Sequence, residues 1–133
     1  MVVVDTNILV CLLIEGDRLA QAQALWRRDP VWCSEPFILV EFSNVLATYL
    51  RRQALTGAEA KALLAEAGQR LTSLVEVHHA DALDLAAEFG ISAYDARFIA
   101  VARAQNLPLI TEDDRLRTAV PASTLSLTEA MTG

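Results

Sequence analysis

Runs of apolar residues in this chain change period along its length, and the changes mark out elements. Val2 to Val4 is an unbroken β-branched run ending at Asp5, which predicts a strand covered on both faces and therefore central in a sheet. Thr6 and Asn7 are placed to cap a helix running through Ile8 to Leu13, and Gly16-Asp17 interrupts the pattern before a second helix, Arg18 to Arg28, which Asp29-Pro30 stops. Val31 to Cys33 predicts a short strand. Ser34-Glu35-Pro36 then opens a third helix, where Ile38, Phe42, Val45, Leu46 and Tyr49 keep helical spacing as far as Arg51-Arg52. Thr56 caps a fourth, with Ala60, Leu63, Leu64, Ala67, Leu71 and Leu74 recurring at intervals of three and four. Leu74 to Val77 suits a strand, Ala80 to Phe89 a helix closed by Gly90, and Ser92 caps a helix from Ala93 to Asn106. Leu109 to Thr111 predicts a buried strand, Asp113 to Ala119 a short helix, Thr124 to Leu127 an edge strand, and the tail a frayed helical turn.

Strands separated by helices require right-handed crossovers. The expected fold is an α/β three-layer sandwich, a central parallel sheet of about four to five strands flanked by helices. With 133 residues, 53% of them apolar, no repeats and no linker of Pro, Gly or Ser, residues 1–133 are expected to form a single domain.

Charge narrows the function. The net charge is −6, which excludes a protein that coats a polyanion through a basic surface. Cys11 and Cys33 lie in apolar runs without CxxC spacing and are expected to be buried and reduced. No run approaches the ~18 apolar residues that span a bilayer, and Met1 leads directly into Val2 without a basic leader, so a cytoplasmic protein with no membrane contact is expected. His78-His79, read as the end of a strand, would point to opposite faces and cannot easily share one ion.

Parallel sheets bind ligands at the carboxyl ends of their strands, and both such places hold an acid here: Asp5 after the first strand and Asp113 after Leu109 to Thr111. If those strands are neighbours, roughly 4.8 Å apart, the two acids face one crevice. Glu41 sits among Phe37, Ile38, Leu39, Val40 and Phe42, and Asp95 shares a helical face with Phe98, Ile99 and Ala102. Carboxylates that repel one another are reconciled by a divalent cation, and oxygen donors suit Mg²⁺ or Mn²⁺. Such a centre can hydrolyse a phosphodiester.

Each acid alone also has an ordinary reading. Asp5 would cap the first helix, Glu41 sit on a solvated face, Asp95 complete a capping box with Ser92, and Asp113, followed by Asp114, cap a turn. Only the four together favour a site.

In order and spacing, VVVDTNILV, LVEFSNVL, ISAYDARFIAVA and LITEDDRL resemble the four acidic motifs of PIN-domain ribonucleases, the bacterial VapC-type toxins in particular, over Val2 to about Leu116. The resemblance implies that Asp5, Glu41, Asp95 and Asp113 form a catalytic metal site, with Thr6, Asn7 and Thr111 in support. It puts Asp113 rather than Asp114 in the fourth position, and implies RNA as substrate, an antitoxin over the active-site groove and a homodimer. Arg97, Arg103, Arg115 and Arg117 are candidates for phosphate contacts, as are the pairs Arg27-Arg28 and Arg51-Arg52, which otherwise read as solvated helix ends.

Two rivals stand beside this. An aspartate-based phosphotransferase or phosphatase would use a lysine at the site, but the only lysine, Lys61, lies in the middle of the fourth helix. A non-catalytic interaction module, its acids serving as caps or holding a structural ion, is separated by assay. The five glycines compose neither GxGxxG nor a P-loop, which excludes nucleotide-cofactor chemistry.

Overall fold

The computed structural model describes residues 1–132. Five strands, β1 (Val2–Val4), β2 (Trp32–Ser34), β3 (Ser73–Leu74), β4 (Leu109–Ile110) and β5 (Thr124–Leu125), form one sheet in the order β3-β2-β1-β4-β5, with every pairing parallel. The helices are α1 (Thr6–Leu13), α2 (Leu19–Arg28), α3 (Phe37–Arg51), α4 (Gly57–Arg70), α5 (His79–Phe89), α6 (Ala93–Gln105), α7 (Asp114–Ala119) and α8 (Leu127–Thr132), with a 3₁₀ turn at Pro121–Ser123. The expected parallel α/β sandwich is what the chain builds.

Winding follows from handedness. From β1 the chain steps to β2 and β3 on one side, then crosses back to β4 and β5 on the other, and right-handed crossovers put the two halves of the helix set on opposite faces. Helix α1 packs on α2, α3 and α4, whereas α6 packs on α5 and lies against β1, β2 and β4. As the unbroken run predicts, Val3 and Val4 are fully buried in the middle strand. Trp32, Phe42 and Phe98 are the largest side chains completely removed from water, and Trp26 meets Trp32 edge to face at 5.4 Å.

Several boundaries differ from expectation. Helix α4 ends at Arg70, so Leu74 belongs to β3 and not to its apolar stripe, and Leu74 is exposed on this edge strand. The expected strand Leu74 to Val77 is instead Ser73–Leu74, extended only by the Val75 N–H donating to the Ser34 carbonyl at 2.8 Å. His78 and His79 do not end a strand: they stand at the N-cap and first position of α5. Thr6 and Asn7 lie inside the first turn of α1 and cap nothing. Cys33 is buried, but Cys11 is only partly so. As far as Thr132 the tail is an ordered helix: Leu127 and Ala130 of α8 are buried, α8 packs on α2, and Arg28 donates to the carbonyls of Ala130 and Met131.

Candidate functional site

The direction of winding reverses at β1, between β2 and β4, which opens a crevice beyond the carboxyl ends of β1 and β4. Register fixes what projects there. Val3 lies opposite Leu109 and Val4 opposite Ile110, so Asp5 and Thr111 leave the sheet side by side, with the Asp5 N–H donating to the Ile110 carbonyl at 3.4 Å. Asp95 arrives from the first turn of α6, Glu41 from the second turn of α3, and Asp113 from the start of α7. Asp5, Glu41, Asp95 and Asp113, with Thr6 and Asn7, line a single cleft of about 320 Å³. A larger groove of about 460 Å³, between the end of α6 and β5, is lined by no carboxylate and lies away from these strand ends.

Asp5 occupies the N-cap position of α1, yet its side chain makes no capping bond. It is only 4% exposed; Oδ2 accepts from Asn7 Nδ2 at 3.0 Å, while the buried Oδ1 has no hydrogen-bond partner. Burial pushes this carboxyl up to about 7; the nearby Thr111 hydroxyl and Ile8 N–H, neither in full hydrogen-bond geometry with Oδ1, and the Asn7 amide offset only part of that, and the charge of Asp95 adds to it. Asn7 also clamps the two strand ends together, because Nδ2 donates to Thr111 Oγ1 at 3.3 Å and Oδ1 accepts from the Glu112 N–H at 2.9 Å. The fully buried Thr111 hydroxyl in turn accepts from the Asp113 N–H at 3.1 Å.

Glu41 is half-buried and held by the Thr6 hydroxyl, which donates to Oε1 at 2.5 Å. Its carboxyl is raised by burial, lowered in part by Thr6 and raised again by Asp95. Asp95 does take part in a helix start, since its N–H donates to Ser92 Oγ at 3.0 Å, but its carboxyl lines the cleft, where burial first and the charge of Asp113 second push it up. Asp113 combines both readings: Oδ1 accepts from the N–H groups of Arg115 and Leu116, capping α7, and the residue also faces the cleft. Asp114 points away, 89% exposed and paired with Arg117.

Among the described residues none of these four acids forms an ion pair. Nor do any three acidic, histidine or cysteine side chains among them already stand close enough together to ligate one metal. The carboxylates surround the cleft without converging. Their donor set, all oxygen with one buried oxygen unsatisfied, fits a hard divalent cation.

A family model described as PIN domain matches residues 2–120. The chain belongs to the PIN-domain family. PIN domains are generally nucleases, hydrolysing phosphodiester bonds, and typically use divalent metals. Similar folds occur in a Pyrobaculum aerophilum protein, PAE2754 (TM-score 0.80, 21% identity, covering 98% of this chain and 92% of that one), and in a toxin–antitoxin complex from Klebsiella pneumoniae (0.67, 22%, 96% and 98%). FitAcB from Neisseria gonorrhoeae is similar too (0.70, 17%, 96% and 99%). No curated protein matches the sequence.

Two buried or nearly buried acids of this PIN domain were not anticipated. Glu35, 3% exposed at the end of β2, accepts from the Phe37 N–H at 2.7 Å and pairs with Arg97 at 3.4 Å, while Arg97 also meets His79 Nδ1 at 3.2 Å. Glu112 pairs with Arg18 at 2.5 Å and Arg117 at 3.8 Å and accepts from the Leu127 N–H, tying α2, α7 and α8 together. Arg97 and Arg117, candidates for phosphate contacts, are thereby engaged within the fold. Position after a strand, shared with Asp5, was the available signal for Glu35, but Ser34-Glu35-Pro36 reads first as a helix opening.

Proposed function

We propose that this PIN domain, acting as one unit over residues 1–133, is a Mg²⁺- or Mn²⁺-dependent endoribonuclease and the toxin of a toxin–antitoxin pair. The observation that carries the nuclease reading is the cleft itself: four carboxylates from four separate elements, none in an ion pair among the described residues, around a buried Asp5 oxygen without a partner in full hydrogen-bond geometry. Asp5, Glu41, Asp95 and Asp113 would hold the metal, which supplies Lewis acidity and activation of an attacking water. Thr6 fixes Glu41, Asn7 fixes Asp5 and the 111–112 turn, and the α7 cap fixes one oxygen of Asp113. Asp5, Glu41 and Asp113 thus each have one oxygen held before substrate arrives.

The toxin reading rests on the resemblance of the four motifs to VapC-type toxins and on the fold shared with the Klebsiella toxin–antitoxin complex. It includes an antitoxin laid over the cleft, a homodimer and a cytoplasmic setting; no helix among the described residues is long and apolar enough to cross a membrane. The test is incubation of purified protein with mixed RNA in Mg²⁺, in Mn²⁺ and in chelator. Cleavage in metal alone is expected. Inertness toward every RNA class in all three conditions would leave the interaction module as the surviving reading.

A further inference from the structure

Beside the acidic cleft, and sharing Thr6, Glu41 and Val45 with it, lies a second groove of about 470 Å³ in which Glu41 is the one acid and Phe37, Val40 and Tyr94 form an apolar wall. Phe37 and Tyr94 stack there almost parallel, with ring centroids 5.2 Å apart and an interplanar angle of 5°. Tyr94 is 60% exposed and Val40 59% exposed, and the Asn44 amide adds a polar group to the wall. The placement follows from chain geometry: Phe37 precedes Glu41 by one helical turn on α3, and Tyr94 immediately precedes Asp95 on α6.

We propose that this groove is a nucleobase subsite, in which an unpaired base of a single-stranded substrate stacks on Tyr94 while its phosphate lies at the acids. This rests on the nuclease reading and names the substrate as single-stranded. Two observations choose a base as occupant. The groove runs directly into the cleft, so a nucleotide held at the acids has its neighbouring base within reach. And no lysine or arginine lines the groove or the cleft: Arg97 is committed to Glu35 and His79, Arg117 to Glu112, Asp114 and the Thr111 carbonyl, and Arg115, exposed and in no ion pair among the described residues, is part of neither lining. Grip on a polyanion then comes from an aromatic face, which holds any base without needing to neutralise phosphate.

The experiment measures anisotropy of a labelled single-stranded RNA binding to protein with Asp5 intact in Ca²⁺, an oxygen-seeking cation used in place of Mn²⁺ so that binding is read ahead of cleavage, and cleavage of the same RNA by the same protein in Mn²⁺. Tyr94→Ala is expected to weaken binding by about 5- to 150-fold, the range that loss of a base-stacking ring gives, while Tyr94→Trp retains it. An abasic site walked along the RNA is expected to reproduce the loss at one register position and to add nothing to Tyr94→Ala. Equal losses on intact and abasic RNA, or none at all, would overturn the subsite. So would a change of oligomeric state in Tyr94→Ala that accounts for the loss, since the groove would then be a face for a second copy. Failure of the nuclease reading is seen separately, as absence of cleavage by protein retaining both Asp5 and Tyr94, and the anisotropy series still decides the subsite in that case.

Discussion

Asp5 and Glu35 stand at the carboxyl ends of neighbouring strands and are buried to almost the same degree, 4% and 3% exposed, yet the fold treats them oppositely. Glu35 is given a guanidinium, Arg97, and a backbone N–H. Asp5 is given the Asn7 amide, the weaker pull of the nearby Thr111 hydroxyl and Ile8 N–H, and a second acid nearby, but among the described residues no cation, and its Oδ1 has no partner in full hydrogen-bond geometry. A buried carboxylate is costly unless charge or hydrogen bonds compensate it. Glu35 therefore reads as structure, holding the start of α6 against the end of β2. Under the proposed function, Asp5 is the acid left for a ligand from outside the chain.

The sharpest break between the two should appear in activity. Asp5→Asn keeps the shape but removes the charge, and should lower RNA cleavage by more than about 100-fold, beyond what loss of a group merely supporting a metal ligand costs; cleavage rates for this variant equal to those of the unaltered protein would remove Asp5 from the site. Next comes pH. An acid whose folded pKa is raised from 3.8 to about 7 holds its proton more tightly in the native state, so its effect on metal-free stability is neutral below about pH 4 and grows increasingly unfavourable as pH rises to about 7. Denaturation in chelator should thus show stability falling over that window by a few kcal/mol at most, with a flatter profile for Asp5→Asn and no lower melting temperature for it at pH 8.

Metal should separate the two acids at about the same scale. At a hundredfold excess over its Kd, Mn²⁺ should raise the melting temperature by roughly 5–10 °C, and chelator should reverse this. The rise should vanish in Asp5→Asn and persist in Glu35→Gln. Glu35→Ala, by contrast, should cost about 2–3 kcal/mol in denaturant melts, near the lower edge for breaking a buried pair because Arg97 keeps some access to water. Smallest is Thr6→Val, which removes the hydroxyl holding Glu41 and should cost ~1 kcal/mol or less while moving the pH profile of cleavage upward.

Much of this was legible in the residues. The Val2–Val4 run ending in Asp5, the Ser92 cap before Asp95 and the Leu109–Thr111 run before Asp113 all belong to local patterns, and local patterns survive folding. The edges were less legible. Leu74 kept helical spacing with α4 but was taken by β3, because pairing with Ser34 outweighs periodicity at a helix end. The tail carried too few residues to predict a helix alone, and α8 is held by burial against α2 and by Arg28. His78 and His79 open a helix whose start no strong cap announced.

By itself the sequence determined the class of fold and set Asp5, Glu41, Asp95 and Asp113 in four motifs that resemble those of one family, since these depend on residue type and spacing along the chain, whereas it is the structure that puts Asp113 and not Asp114 in the lining of the cleft. Only the tertiary structure decided that β1 and β4 are neighbours, that Asn7 bridges their ends, and that of two buried acids at adjacent strand ends Glu35 has a cation beside it while Asp5 has none. Charge compensation depends on distances between groups far apart in the chain, from Glu35 to Arg97 for instance, and spacing along a chain does not specify those distances.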